Sequence, residues 1–263
     1  TVLVSIQYAN NEIGTVQPLA DIGREVLKWR KAHRTPYPYF HIDACQAAAY
    51  LDLNVEKLHV DLMGLNGSKI YGPKGVGVLY KRRGVKIEPL IYGGGQEMGL
   101  RSGTENVPGI IGMATALKLV QECRNDKFKK LKRLSDYFWK ELQKRVEGTT
   151  MNGPQSMKSE VRSLKSVVHR LPNNLNVCIP RIDSEALILY LDAAGIQCSS
   201  QSACSTDSDE VSHVLLACGL TEQAAKESVR FTLGKETTKK DIDYALQVLT
   251  DVVKKLRRAR DLE

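Results

Sequence analysis

The chain has 263 residues, of which 42% are hydrophobic and 26% charged, with a formal net charge of +8. That length holds one large core or two modest domains, and the composition is that of an ordinary soluble globular protein. No apolar run is long enough to span a bilayer and no signal-peptide pattern is present, so no membrane association is expected.

Taken in chain order, residues 2–8 read as a buried, β-branched strand, and Thr1 opening directly into it points to a piece of something longer. Residues 19–33 read as a helix with Ile22, Val26 and Leu27 on one face. Further strands are expected at 37–42, ending at Asp43, at 60–65, just before Lys69, and at 76–80. Strand–helix–strand order implies a parallel sheet, and ligand groups collect beyond the carboxyl ends of such strands. Asn10, Asn11, Asp43 and Lys69 each follow a predicted strand and are expected to line one edge together.

Residues 104–123 and 127–146 read as long helices. Beyond them come a strand pair or one long strand over 166–179, interrupted at Pro172-Asn173-Asn174, a helix over 184–194, a short strand at 196–198 and a strand at 229–233. The last helix has a capping box, Thr238 followed three residues later by Asp241, and an apolar stripe of Ile242, Ala245, Leu246, Leu249, Val252, Val253 and Leu256. The expected organisation is a sheet-bearing domain over 1–124 and a smaller α+β domain over 125–263. The basic runs at 127–133 and 254–260 lack interleaved aromatics and read as solvated helix faces, so no nucleic-acid partner is expected. The six cysteines, Cys45, Cys123, Cys178, Cys198, Cys204 and Cys218, follow no disulfide or zinc spacing. No metal site is therefore expected, and a reducing compartment is.

Lys69 lies in Asn66-Gly67-Ser68-Lys69-Ile70-Tyr71-Gly72-Pro73-Lys74-Gly75, between small residues and a rigid Gly-Pro turn. Alone, such a lysine is more often a solvated loop residue. A strand-end lysine on constrained backbone nevertheless suits a Schiff base with an aldehyde cofactor. A pyridine-aldehyde cofactor also needs a carboxylate against its ring nitrogen, which Asp43, 26 residues upstream, can supply; a helix-cap aspartate is the equal alternative. Cys204 stands in a small, polar stretch, Ser199-Ser200-Gln201-Ser202-Ala203-Cys204-Ser205-Thr206-Asp207-Ser208-Asp209, which suits a nucleophile that must move. Cys178 and Cys218, with apolar neighbours, read as structural, and Cys198 as core.

Together these segments resemble the cysteine desulfurase family, in the class V branch of fold-type I pyridoxal-phosphate enzymes. The resemblance rests on Asn10-Asn11-Glu12-Ile13-Gly14, Ile42-Asp43-Ala44-Cys45-Gln46, the Lys69 segment, Gly93-Gly94-Gly95-Gln96-Glu97 with Leu100-Arg101-Ser102-Gly103-Thr104-Glu105-Asn106, the Cys204 stretch, and Val229-Arg230-Phe231-Thr232-Leu233-Gly234. It implies an α/β fold with a mostly parallel central sheet and a smaller α+β domain. It also implies pyridoxal 5'-phosphate on Lys69, Asp43 at the ring nitrogen, and Asn11 and Gln46 at the phenolic oxygen. Thr104 would reach the phosphate of a partner subunit, hence a homodimer; Arg230 and Asn11 would bind the substrate, Arg230 by its α-carboxylate. L-cysteine would be the substrate, Cys204 would carry the persulfide, and an iron–sulfur scaffold or other sulfur acceptor would receive it, in the cytoplasm.

Where the family usually has Ser-Gly-His before the lysine, this chain has Asn66-Gly67-Ser68, so Asn66 and Ser68 are the expected phosphate donors. The glycine usual at the place of Gln201 is also replaced. The family's amino-terminal third, with a phosphate-cradling loop and a ring-stacking histidine, has no counterpart here, and none of His33, His41, His59, His169 or His213 matches that histidine. The isolated chain is expected to bind cofactor weakly. Selenocysteine lyase and a catalytically incomplete, partner-binding scaffold are the competing readings; an ordinary aminotransferase would use Lys69 and Asp43 but not Cys204.

Overall fold

The computed structural model describes residues 1–154, 169–200 and 211–260. In chain order the elements are β1 (Leu3–Gln7), β2 (Thr15–Val16), α1 (Leu19–His33), β3 (Tyr39–Asp43), α2 (Val55–Leu58), β4 (Leu62–Asn66), β5 (Gly77–Lys81), α3 (Val107–Glu122) and α4 (Arg124–Arg145). They continue with β6 (Thr150–Met151), β7 (His169–Arg170), β8 (Asn174–Cys178), α5 (Ser184–Ala193), α6 (His213–Ala217), α7 (Glu222–Lys226), β9 (Ser228–Thr232) and α8 (Lys239–Arg260). The chain divides into two units, one of Thr1–Ala9 with Gln17–Arg124, the other of Asn10–Val16 with Asn125–Glu263.

The first unit is built on a sheet of order β1-β3-β4-β5. The first three strands run parallel, and β5 returns antiparallel to β4. In β3 the side chains alternate: Phe40 and Ile42 are fully buried, while His41 and Asp43 lie half-buried on the opposite face. Each such buried apolar side chain contributes on the order of 1.5–3 kcal/mol. Helix α1 packs closely because Gly23 lacks a side chain: a Cβ there would stand 2.4 Å from the Leu58 carbonyl and 3.1 Å from the Phe40 ring.

The expected α1 stripe is only partly realised. Leu19 and Gly23 are buried, but Leu27 is 40% exposed. The last turn of α1 is instead tied to the sheet through Arg30, which donates from Nε to the Pro38 carbonyl at 2.7 Å and pairs with Asp61.

The second unit has a three-stranded antiparallel sheet, β6-β8-β9, and a two-stranded ribbon of β2 with β7. Residues 166–179 were expected to hold a strand pair or one long strand; the two strands described there go to different sheets, β7 to β2 and β8 to β6 and β9. The expected strand at 196–198 does not form. The Ile196 N–H is taken by the Leu191 carbonyl at 2.9 Å, closing the end of α5, and only Ser199 makes a bridge, to Arg230. Cys218, expected as structural, is exposed, because it sits at the C-cap of α6. Cys178 is buried.

The last helix begins as the sequence requires. Thr238 N–H donates to Asp241 Oδ2 at 2.8 Å, and Asp241 N–H donates to Thr238 Oγ1 at 3.3 Å. Ile242, Leu246, Leu249 and Val253 are buried, with Ala245, Val252 and Leu256 partly covered. Replacing Thr238 with alanine removes one half of this reciprocal cap and is expected to cost about 1 kcal/mol, read as a lowered urea midpoint at unchanged slope.

Candidate functional site

Asp43 closes β3 and stands opposite Gly64 in the parallel register with β4. Its Oδ1 accepts the Cys45 N–H at 2.9 Å, which fixes the carboxylate against the turn that follows. Ala44, Ala47, Ala48 and Ala49 in that turn are buried, and Gln46 among them is half-buried.

Lys69 lies on the single 3-10 turn Gly67–Ile70 that follows β4. Ile70 is fully buried and Lys69 is exposed, so the turn is anchored on one side and presents the amine on the other. The backbone closes around it: the Gly67 N–H donates to Val76 O at 3.0 Å and the Gly72 N–H to Gly67 O at 3.0 Å. A Cβ on Gly67 would stand 2.8 Å from the Pro73 carbonyl. Asn66 caps the turn, its Oδ1 accepting from both the N–H and the hydroxyl of Ser68 at 2.9 Å.

Helix α3 braces both turns. Gln121 Nε2 donates to the Ala48 and Leu51 carbonyls at 2.6 and 3.1 Å. A Cβ at Gly112 would fall 2.7 Å from Pro73 Cγ, so this glycine lets the helix close on the Gly-Pro corner.

Cys45 lies within the fields of both Asp43 and Lys69. Burial, then hydrogen bonding and charge from Asp43, push its thiol up to about 12, against a smaller pull from Lys69. Cys198 is pushed up to about 11 and Cys178 is also raised, in both cases chiefly by burial. A thiol so raised stays protonated and is a poor nucleophile. Cys204, the predicted nucleophile, lies outside the described residues.

Thr104 is exposed, just ahead of α3, at the end of a segment organised by its own contacts: Gln96 Oε1 accepts the Gly103 N–H at 3.0 Å, and Ser102 is buried. The expected single edge holds Asp43 and the Lys69 turn. Asn10 and Asn11 belong to the second unit, where Asn10 Oδ1 accepts the N–H groups of Glu12 and Ile13 at 2.8 and 2.9 Å.

In that unit Arg230, on β9 opposite Asn176, donates from Nη1 to the Asn11 carbonyl at 2.9 Å. The same carbonyl takes Asn174 Nδ2 at 3.3 Å, and the Glu12 carbonyl takes Asn176 Nδ2 at 3.2 Å. Burial lowers the Arg230 pKa, and the Glu12 charge opposes that. Arg230 is also paired through its backbone with Ser199, the residue that opens the cysteine stretch. Four residues separate Ser199 from Cys204 in the sequence.

Three elements of this arrangement were not anticipated from sequence: the Gln121 brace, the Cys45 thiol beside Asp43, and the buried Glu12. Only the Asn-Asn-Glu run itself could have drawn attention to the last. No group of side chains among the described residues could hold a metal ion, and no described helix is long and apolar enough to cross a membrane.

A strand-end carboxylate with an exposed primary amine on the next strand's turn, on a mostly parallel α/β sheet, is the arrangement of a pyridoxal-phosphate-type transferase fold. The sequence matches the class-V aminotransferase family over residues 1–245, and the chain belongs to that family. It is 44% identical over 257 residues to the cysteine desulfurase IscS of Dictyoglomus turgidum, covering 98% of this chain and 60% of that protein. It is 42% identical over 262 residues to the IscS of Clostridium botulinum strain Hall, covering 100% and 62%. Among solved structures, a NifS-like protein superposes with a TM-score of 0.81 at 37% identity, covering 97% of this chain and 61% of that one. A NifS-like protein from Rickettsia africae superposes at 0.79 and 31% identity, covering 96% and 62%. The chain thus spans about three fifths of the length of these relatives.

The residues present fit the two reactive ends of pyridoxal phosphate better than its phosphate. Asp43 is an acceptor for a ring N–H and Lys69 an amine for the aldehyde, but the Ser68 hydroxyl already donates to Asn66 and must turn to meet a phosphate.

Two outcomes follow from this geometry. Gly67→Ala forces its Cβ against the Pro73 carbonyl and is expected to lower stability by about 1–3 kcal/mol, measured by denaturant unfolding. At pH 8 a thiol near 12 has a thiolate fraction about three orders of magnitude below that of an ordinary cysteine. In the native chain, mass-spectrometric mapping should therefore find iodoacetamide on the exposed Cys123 and Cys218 long before Cys45.

Proposed function

We propose that the chain is the greater part of a pyridoxal-phosphate-dependent cysteine desulfurase, which takes sulfur from L-cysteine, releases L-alanine and leaves a persulfide on Cys204. The observation that carries this reading is the clamped, exposed Lys69 beside the strand-end Asp43, in a chain 44% identical to a protein named cysteine desulfurase.

The cofactor, when bound, supplies an electron-poor ring that draws electron density from the substrate Cα. Asp43 would hold the ring N–H, and Asn11 and Gln46 would be the donors for the phenolic oxygen. Lys69 would hold the aldehyde, and its Nζ would move the Cα proton. Asn66 and Ser68 would donate to the phosphate, and Thr104 to the phosphate of a second copy in a homodimer. Arg230 binds the α-carboxylate. Cys204, as thiolate, attacks the substrate sulfur: an S–S bond forms and the C–S bond breaks. Its electron pair stays with carbon, which takes up a proton and leaves as alanine. The terminal sulfur then passes to an acceptor protein, with iron–sulfur cluster assembly as its use and the cytoplasm as its setting.

The engagement of the Ser68 hydroxyl by Asn66 favours a second reading, in which the chain holds the cofactor weakly and serves as a partner-binding piece. Titrating the purified chain with pyridoxal phosphate is expected to give a saturable visible absorbance band that Lys69→Ala abolishes and Asp43→Asn weakens. With cofactor bound, alanine should be released from L-cysteine, and Cys204→Ser should keep the band but form no persulfide. A band that survives Lys69→Ala sinks the lysine assignment; alanine released from selenocysteine alone reassigns the substrate.

A further inference from the structure

Arg230 combines two features that seldom occur together. Its Nε is buried and meets no acceptor among the described residues, while the Glu12 carboxylate is near enough to favour its charged form. A guanidinium and a carboxylate buried as neighbours ordinarily close into a hydrogen-bonded pair, since each is costly to bury alone. Here they make no ion pair. Glu12, only 3% exposed, accepts the hydroxyl proton of Ser212 instead.

Ser212 is held for that task. It is the N-cap of α6, and its Oγ accepts the Leu215 N–H at 3.2 Å. The hydroxyl oxygen faces the helix and its proton faces Glu12, so it cannot turn without losing both contacts. The Glu12 backbone is fixed as well, its N–H on Asn10 Oδ1 at 2.8 Å and its carbonyl on Asn176 Nδ2 at 3.2 Å. The Glu12 carboxylate is thus held at Ser212 and not paired with Arg230.

We propose that Ser212 is a positioning residue that holds the Glu12 carboxylate off Arg230 and so keeps the Arg230 Nε–H open to an incoming α-carboxylate. The last part rests on the reading of Arg230 as the substrate-carboxylate donor. Without the hydroxyl, Glu12 turns to Arg230, and an internal ion pair competes with the ligand for the same N–H groups.

The test reads the Arg230 Nε–H directly in the 1H–15N spectrum of the 263-residue chain, its resonance identified by loss in Arg230→Lys. Ser212→Ala removes the hydroxyl. Ser212→Gly does so too, and keeps a residue well tolerated at an N-cap. In each, the resonance is expected to move downfield as it gains a carboxylate acceptor, and adding Glu12→Gln is expected to return it. A resonance that stays in place in the folded single variants overturns the proposal, as does a shift that persists in the double variants.

Titration with L-alanine separates the two claims. It is expected to move the wild-type resonance, with apparent affinity falling by about tenfold in Ser212→Gly and recovering when Glu12→Gln is added. If L-alanine moves nothing while the Ser212 variants still shift the resonance, the carboxylate reading of Arg230 is sunk and the positioning of Glu12 by Ser212 stands.

Discussion

In the sheet of the first unit, β3 and β4 run parallel with Asp43 opposite Gly64, and this one register sets where the chemistry is presented. Because side chains alternate along a strand, a slip by one residue would turn Asp43 to the face of Phe40 and Ile42. That face is fully buried, so the slip would bring an unpaired carboxylate into the core, at a cost of several kcal/mol. Hydrophobic burial on one face therefore holds the carboxylate on the other. The same register ends β4 where Asn66 can cap the turn that carries Lys69. Helix α3 then ties the two strand ends together, Gln121 on one side and the Gly112–Pro73 contact on the other.

The thiols follow a different logic. Among the described cysteines, Cys45 feels both Asp43 and Lys69, and burial with the Asp43 charge keeps it protonated. The chain thus keeps sulfur at this place but withholds its nucleophilicity.

What could be read from the sequence was local. The Lys69 turn announces itself through Gly67, Pro73 and the capping Asn66, all within a few residues, and the Thr238–Asp241 cap is a four-residue pattern that the structure reproduces atom for atom. What could not be read depends on partners far along the chain. The pairing of Thr15 with Arg170 joins residues more than 150 positions apart, and neither two-residue strand has a hydrophobic pattern of its own. Residues 196–198 alternate as a short strand would, yet their backbone is used to finish α5. Cys218 looks apolar in sequence because Leu215, Leu216 and Ala217 precede it, but it stands at the C-cap of α6, where it is exposed. The class-V family match runs over residues 1–245 and so takes in the Asp43 and Lys69 motifs.

The seven residues Asn10–Val16 leave the first unit after Ala9 and return to it at Gln17. Between those points Asn11 and Glu12 supply carbonyls to Arg230, Asn174 and Asn176, three side chains of the second unit. The second unit is therefore discontinuous in sequence, and no single cut would release it whole. A piece beginning at residue 125 would carry an arginine and two asparagines whose acceptors remained on the other piece. The short excursion Asn10–Val16 therefore belongs to the second unit although the chain on both sides of it belongs to the first.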